Sequence, residues 1–437
     1  MYKNSGFQDG NIWKSTGSTN TATANTIRVN NKHGTSSNPI TIKGDTPTGH
    51  VLKGDGVNIF QLRVSSHCVL ENLNIQGEVL NIPLQEAFDK RFDYKKGTDN
   101  TVYQRVDPAL TPQQIEAMTL PDISSQTIYR PSKYTTTGLL VQQCRYVTVR
   151  NCTVGYMPGT GLRVQTSDYV DLLYNYVHNS SRRGSVGNHG LTVHSLTNTW
   201  NSIKITATDY RMKIVGNTVA DNYNEVYSWS ELKTFITPHI DEGKGLTIQK
   251  SSPAESDFDY GHILIANNVA YGNGFSGIHT NIAERVDIFF NTVVNNTRTG
   301  KGTNTGISVS DTKKCRVVNN IAYALNSFGG YALSTDSTNL AAHEINFLNN
   351  LVVGSIDPGI PSALQFTSTH NAVRFVNAPL HDYRILTGSS AANLGSSVTQ
   401  GIVEKDKKNA TRVDPTDIGA FEALSLSTTS SGGGNDK

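Results

Sequence analysis

Two short phrases recur along this chain in strict alternation, and they limit its fold more than any other feature. The first is Gly, apolar, any residue, apolar, at Gly138, Gly161, Gly190, Gly245, Gly277 and Gly306, and loosely at Gly330. The second is a short apolar strand, then Asn, any residue and an aliphatic. Its Asn falls at Asn175, Asn217, Asn267, Asn291, Asn319 and Asn349, with Cys152 in register ahead of them. The shortest intervals are 23 or 24 residues, the length of one solenoid coil. A unit that small cannot bury its own apolar face. Stacked units bury a continuous core and pair every strand above and below. An Asn repeated at one turn position can then stack as a ladder, satisfying backbone groups that burial would otherwise orphan. These asparagines therefore read as scaffold. The regular Leu spacing of a leucine-rich repeat and the long period of a propeller are both missing. The pattern reads as an all-β solenoid, a single-stranded parallel β-helix with long loop insertions.

The rest of the composition agrees. The 38 glycines with abundant Asn and Thr favour strands joined by tight turns. The 38 basic and 36 acidic residues are interspersed and leave a net charge of +2, so no global basic field calls for nucleic acid. No apolar run approaches the ~18 residues of a membrane span. The cysteines Cys68, Cys144, Cys152 and Cys315 form no CxxC pair, which argues against zinc. They read as small buried apolar groups, although a Cys144–Cys152 bridge is compatible with the spacing. The opening residues lack a signal-peptide core. Either the protein is intracellular or a signal has been removed from a mature secreted or periplasmic chain, and the second is the expectation.

Along residues 1–423 the solenoid is interrupted in a few places. Residues 77–135 form a long insertion, with Thr111 to Met118 predicted as a short helix behind a Thr N-cap and a Pro. Gly190 to Gly245 spans 55 residues, either two coils or one coil with long loops. A further excursion follows Lys250. Loops grafted at one place on a solenoid make a groove. Residues 361–423 read as a terminal cap and 424–437 as a disordered tail.

Beside those loops lies the densest set of ionisable groups. In each Gly phrase the apolar positions face inward and their neighbours outward. The outward positions are Arg163 and Gln165, Thr192 and His194, Thr247 and Gln249, then His279 and Asn281. His189 and Lys244 stand just before two of the glycines. Arg182, Arg183, Asp241 and Glu242 lie in the turns, and Tyr227, Trp229 and His239 in an irregular loop. A mainly cationic strip with amides and aromatic rings suits an acidic polysaccharide. Two chemistries fit. In β-elimination on a uronate, a base removes the C5 proton while a cation neutralises the carboxylate. Lys244, crowded by His189 and arginines, is the candidate base, Arg163 or Arg182 the neutraliser, and His194 a further catalytic candidate. Asp241 and Glu242 could hold Ca²⁺. In glycoside hydrolysis, two carboxylates flank the bond; Asp241 and Glu242 are adjacent and point apart, so Glu225 or Glu284 would be needed as partner. A non-catalytic adhesin or fibre is the third reading.

The opening Ser37-Asn38-Pro39-Ile40-Thr41-Ile42-Lys43-Gly44, the Asn-Asn-x-Val phrases and the closing Asp417-Ile418-Gly419-Ala420-Phe421-Glu422 resemble the parallel β-helix polysaccharide lyases of the alginate, chondroitin and pectate type. The resemblance spans roughly residues 26–423. It implies a right-handed helix, a Lys base in the position of Lys244 or Lys250, an Arg neutraliser, and Ca²⁺ held by acidic residues.

Overall fold

A computed structural model describes residues 26–46, 49–89, 132–184, 187–196, 210–226, 242–251, 262–296, 305–325 and 330–424. It also describes residues 114, 240 and 298 and short strand pieces at Ile12–Lys14, Asp93–Lys95, Val102–Gln104 and Thr127–Ile128. The chain winds into a right-handed parallel β-helix with three ladders.

Ladder A carries the Gly phrases. It runs Ile27–Asn30, Asn58–Arg63, Thr137–Gln142, Leu162–Gln165, Leu191–His194 and Leu246–Ser251. The first halves of Ser276–Phe289 and Thr305–Val318 and then Tyr331–Thr335 complete it. Ladder B includes Arg145–Arg150, Asp168–Leu173, Tyr210–Val215 and His262–Ala266. Ladder C is made of three-residue strands such as Tyr176–His178 and Thr218–Ala220. The stretch between Gly190 and Gly245 resolves into a single coil with long connections, since Leu191–His194 pairs directly with Leu246–Ser251.

Inward residues stack in columns, Leu139, Leu162, Leu191, Leu246, Ile278 and Ile307 among them, all fully buried. Each such side chain contributes about 1.5–3 kcal/mol by leaving water. The bends are sharp because one residue at each adopts the left-handed conformation, for example Thr166, Ser195 and Lys250 between ladders A and B.

The asparagine ladder is real but offset from part of the sequence reading. It runs Asn175, Asn217, Asn268, Asn291, Asn320 and Asn350, and ends on Gln365. Asn267, Asn319 and Asn349 are instead the left-handed corner residues just before it, with φ of 57°, 60° and 60°. A second ladder, Asn222, Asn273 and Asn296, stacks at the bend from C to the next A. It helps explain the glycines at 190, 245 and 277. A Cβ on Gly190 would sit 2.5 Å from Asn222 Nδ2 and 2.7 Å from Gly245 O, and one on Gly245 2.6 Å from Asn273 Nδ2. Ala332, not Gly330, occupies the corresponding rung of the last phrase, since Ile307 pairs with Leu333.

All four cysteines are buried and free, so Cys144 and Cys152 form no bridge. Of the expected helix at 111–118 only Gln114 is described, as helical. The insertion does contain the helix Leu84–Asp89, whose Ala87 packs with Ile82, Tyr134 and Val226. The segment expected as an end cap lies along the flank. Val373, Tyr383, Ile385, Ile418 and Phe421 cover ladder C from Ala220 to Val353. Arg412 stacks on Phe290 at 3.8 Å and bonds Asn267. The tail 424–437 lies outside the described residues after Leu424.

Candidate functional site

Ladder A presents two outward rows. The first reads Arg28, Gln61, Leu140, Arg163, Thr192, Thr247, His279 and the second Asn30, Arg63, Gln142, Gln165, His194, Gln249, Asn281, each residue one coil from the next. Over them lies an open cleft of about 600 Å³, reaching from Arg28 to Gln249 and walled by Thr135, Thr137, Gly187 and Asn188. At about 4.8 Å per coil the floor spans roughly 24 Å. Its amides orient one another. Arg28 Nε donates to Gln61 Oε1 at 2.9 Å and Gln61 Nε2 to Gln142 Oε1 at 3.2 Å. Leu140, buried between Gln61 and Arg163, puts an apolar patch in the floor.

Arg163 is the half-buried cation in the middle of the cleft, and Arg28 is an exposed one at its end. Burial lowers its pKa, yet a guanidinium stays charged in proteins. Its Nε is buried without a hydrogen-bond partner, and among the described residues no carboxylate is ion-paired to it. One coil on, His194 faces the same cleft, and its Nδ1 lies 2.7 Å from Ser195 Oγ. Burial, then the charges of Arg163 and Lys250, push its pKa down to about 4. It is therefore neutral at neutral pH. Gln165 and Asn281 continue the second row on either side, half-buried.

His189 and Lys244 are neighbours, as the phrase register requires, but their setting differs from the expectation. The cationic crowding expected around Lys244 is replaced by an ion pair. Its Nζ is 3.0 Å from Glu242 Oε2 and 4.7 Å from the Phe275 ring centre. Glu242 Oε1 accepts the Gly187 N–H at 3.2 Å, and Oε2 lies 3.4 Å from His189 Nε2. Lys244 N–H donates to His189 Nδ1 at 3.4 Å, and the Gln249 amide meets His189 Nε2 at 3.3 Å. This buried network pins the wall at 187–189. Lys244 is 6% exposed and does not line the cleft.

The calcium expectation fails a test of fit at Glu242. Both its oxygens are engaged by Lys244, His189 and Gly187. Among the described residues no three His, Cys, Asp or Glu side chains converge. Asp241 lies outside the described residues, as do Tyr227, Trp229 and His239. Arg182 and Arg183 are not free for a substrate, because both ion-pair with Glu225; Arg183 also bonds Ile82 O at 2.9 Å. Glu284 is likewise engaged, with Lys314 at 2.8 Å. His279 is buried; burial, with Lys244 adding to it, holds its pKa well below the ordinary value, and its Nδ1 has no hydrogen-bond partner. Lys250 is an exposed left-handed corner beside His194.

Sequence reasoning missed the first half of the cleft, Arg28, Gln61, Leu140 and Gln142. One signal was available. The fourth residue after the phrase glycine is Gln142, Gln165, His194, Gln249 and Asn281 in successive coils, an unbroken polar row.

No protein-family model matches the chain, and no curated protein is similar to it in sequence. A comparison of structures does find matches. The pectate lyase Pel9A is 14% identical over 94% of this chain and 86% of its own, with a TM-score of 0.42. The mannuronan C-5 epimerase AlgE4 A-module of Azotobacter vinelandii is 13% identical over 82% and 86%, with a TM-score of 0.36. A Dettilon tailspike protein is 12% identical over 78% and 60%, with a TM-score of 0.34. The chain is a parallel β-helix protein. At these identities the likeness of this β-helix to the three is one of fold.

Proposed function

We propose that the cleft binds an acidic, uronate-containing polysaccharide lengthwise and cleaves it by β-elimination. The observation that carries this reading is Arg163, a half-buried guanidinium without an acidic partner among the described residues. A desolvated cation needs a counter-charge, and a sugar carboxylate supplies one. The glutamines offer donors and acceptors to hydroxyls, and Leu140 meets the C–H face of a ring.

With the carboxylate on Arg163, its negative charge is offset by the guanidinium and its C5–H becomes more acidic. His194, neutral and facing the same space, accepts the C5 proton. The C5–H electrons form the C4–C5 double bond and the C4–O4 bond breaks. The imidazolium returns the proton to O4 of the leaving sugar, and its depressed pKa makes it a ready donor. The bound carboxylate offsets the charge of Arg163, which raises His194 towards the working pH. Lys244, Glu242 and His189 act as positioning residues for the wall. Carboxylate-pair hydrolysis has less support, because no Asp or Glu is among the described residues that line the cleft. The same reading carries a secreted or periplasmic location, where such polymers are met.

The test is ultraviolet detection of unsaturated uronate on alginate, pectate and glycosaminoglycans. Arg163→Gln is expected to abolish product while Arg163→Lys retains a fraction. New reducing ends without unsaturation would overturn the elimination in favour of hydrolysis.

A further inference from the structure

The cleft floor is not uniform along its length. The first row lines the cleft at Arg28, Gln61, Leu140 and Arg163 and then leaves it: Thr192, 1% exposed, Thr247, 0%, and His279, 6%, do not border it. The second row stays half-buried over the same coils at His194, Gln249 and Asn281. The cover can be identified. His189 stands at the start of its ladder A strand and Gln249 near the end of the next one, so their contact at 3.3 Å passes over the Thr192 and Thr247 rungs between them. Glu242 holds that bar from behind, through His189 and Lys244. Beneath it, Thr192 Oγ1 and Thr247 Oγ1 are buried with no hydrogen-bond partner, so the bar seals the row rather than using it.

We infer that this bar closes the first row one coil beyond Arg163 and ends the cleft at Gln249, so that the protein acts on chain ends and Gln249 determines that mode. The inference rests on the uronate reading above. A chain lying along the first row can extend over Leu140, Gln61 and Arg28, three rungs or about 14 Å. In the other direction it meets the bar after the sugar seated at Arg163 and His194. An internal stretch of polymer has to continue past that point, and a terminus does not. Release of short fragments from one end follows.

The experiment is a time course of product size on whichever uronate polymer the native protein degrades, paired with Gln249→Ala. Gln249 is half-buried at the surface, so its truncation leaves the core intact. The native protein is expected to release short unsaturated fragments from the first minutes while the remaining polymer keeps its size. Gln249→Ala is expected to raise viscosity loss per bond cleaved severalfold and to give intermediate lengths. Intermediate lengths from the native protein, or an end-restricted profile unchanged in Gln249→Ala, would overturn the inference and leave the elimination standing. Absence of unsaturated product on every polymer would overturn the elimination itself, and the chain-end inference with it.

Discussion

Replacing Asn291 by Ala tests the scaffold argument at its densest point. The Asn291 carboxamide makes five hydrogen bonds. Its Oδ1 accepts the Asn268 backbone N–H at 2.9 Å and Asn268 Nδ2 at 3.0 Å. Its Nδ2 donates to Ile265 O at 2.9 Å, Phe289 O at 3.1 Å and Asn320 Oδ1 at 2.9 Å. Truncation strands two buried donors on Asn268, at about 1–3 kcal/mol each, and weakens three acceptors that keep other partners, so the expected loss is about 4 kcal/mol. Asn175 is the internal control. It starts the ladder, and its Oδ1 accepts only one N–H, that of Cys152 at 3.0 Å. Its truncation strands a single donor, an expected loss of about 2 kcal/mol. Urea unfolding followed by circular dichroism gives both values from midpoints, provided the slopes match the native protein. Equal losses at the two sites, or a loss below about 1 kcal/mol at Asn291, would refute the counting of stranded donors.

Three further outcomes follow from the same contacts. His194 titrates near 4 in the folded chain and near 6.5 otherwise, so the unfolded chain takes up its proton first. Stability is therefore lost as pH falls from about 6.5 to 4, and His194→Gln should reduce that loss in urea titrations, with buried His279 and half-buried His178 supplying the remainder. Lys407, which donates to Gly216 O, is pushed down to about 7 by burial. Here stability should rise with pH between 7 and 10, and Lys407→Met should remove the rise. Gly190→Ala forces a Cβ within 2.5 Å of Asn222 Nδ2 and should cost about 1–3 kcal/mol by thermal melting; a neutral result would mean that the Asn222 stack yields freely.

Much of the fold was legible because a solenoid writes its period into the chain. The limit was local. At Asn267-Asn268, Asn319-Asn320 and Asn349-Asn350 two asparagines stand side by side. One amide belongs in the ladder and the other at a left-handed corner, and Asn suits both places, so the letters do not rank them. The proximity of His189 to Lys244 was legible from phrase register. The ion pair to Glu242 was not, because a turn residue has no periodic facing. Arg182 and Arg183 were misread for a similar reason: their partner Glu225 arrives from another coil over 40 residues away. The glutamine row shows the opposite case, a signal present at constant offset but diluted by one His and one Asn.

The flank segment gives the array a property that repeat proteins ordinarily lack. Stacked coils touch only their neighbours and can peel from an end one at a time. Here a single stretch of chain bonds Gly216 through Lys407, Asn267 through Arg412, Thr292 through Ala420 and Asn319 through Gly419. It runs like a batten across the coils beneath it. Fraying of the last coil is resisted by coils far from that end, and the half of the molecule bearing His194 and Gln249 opens as one body or not at all.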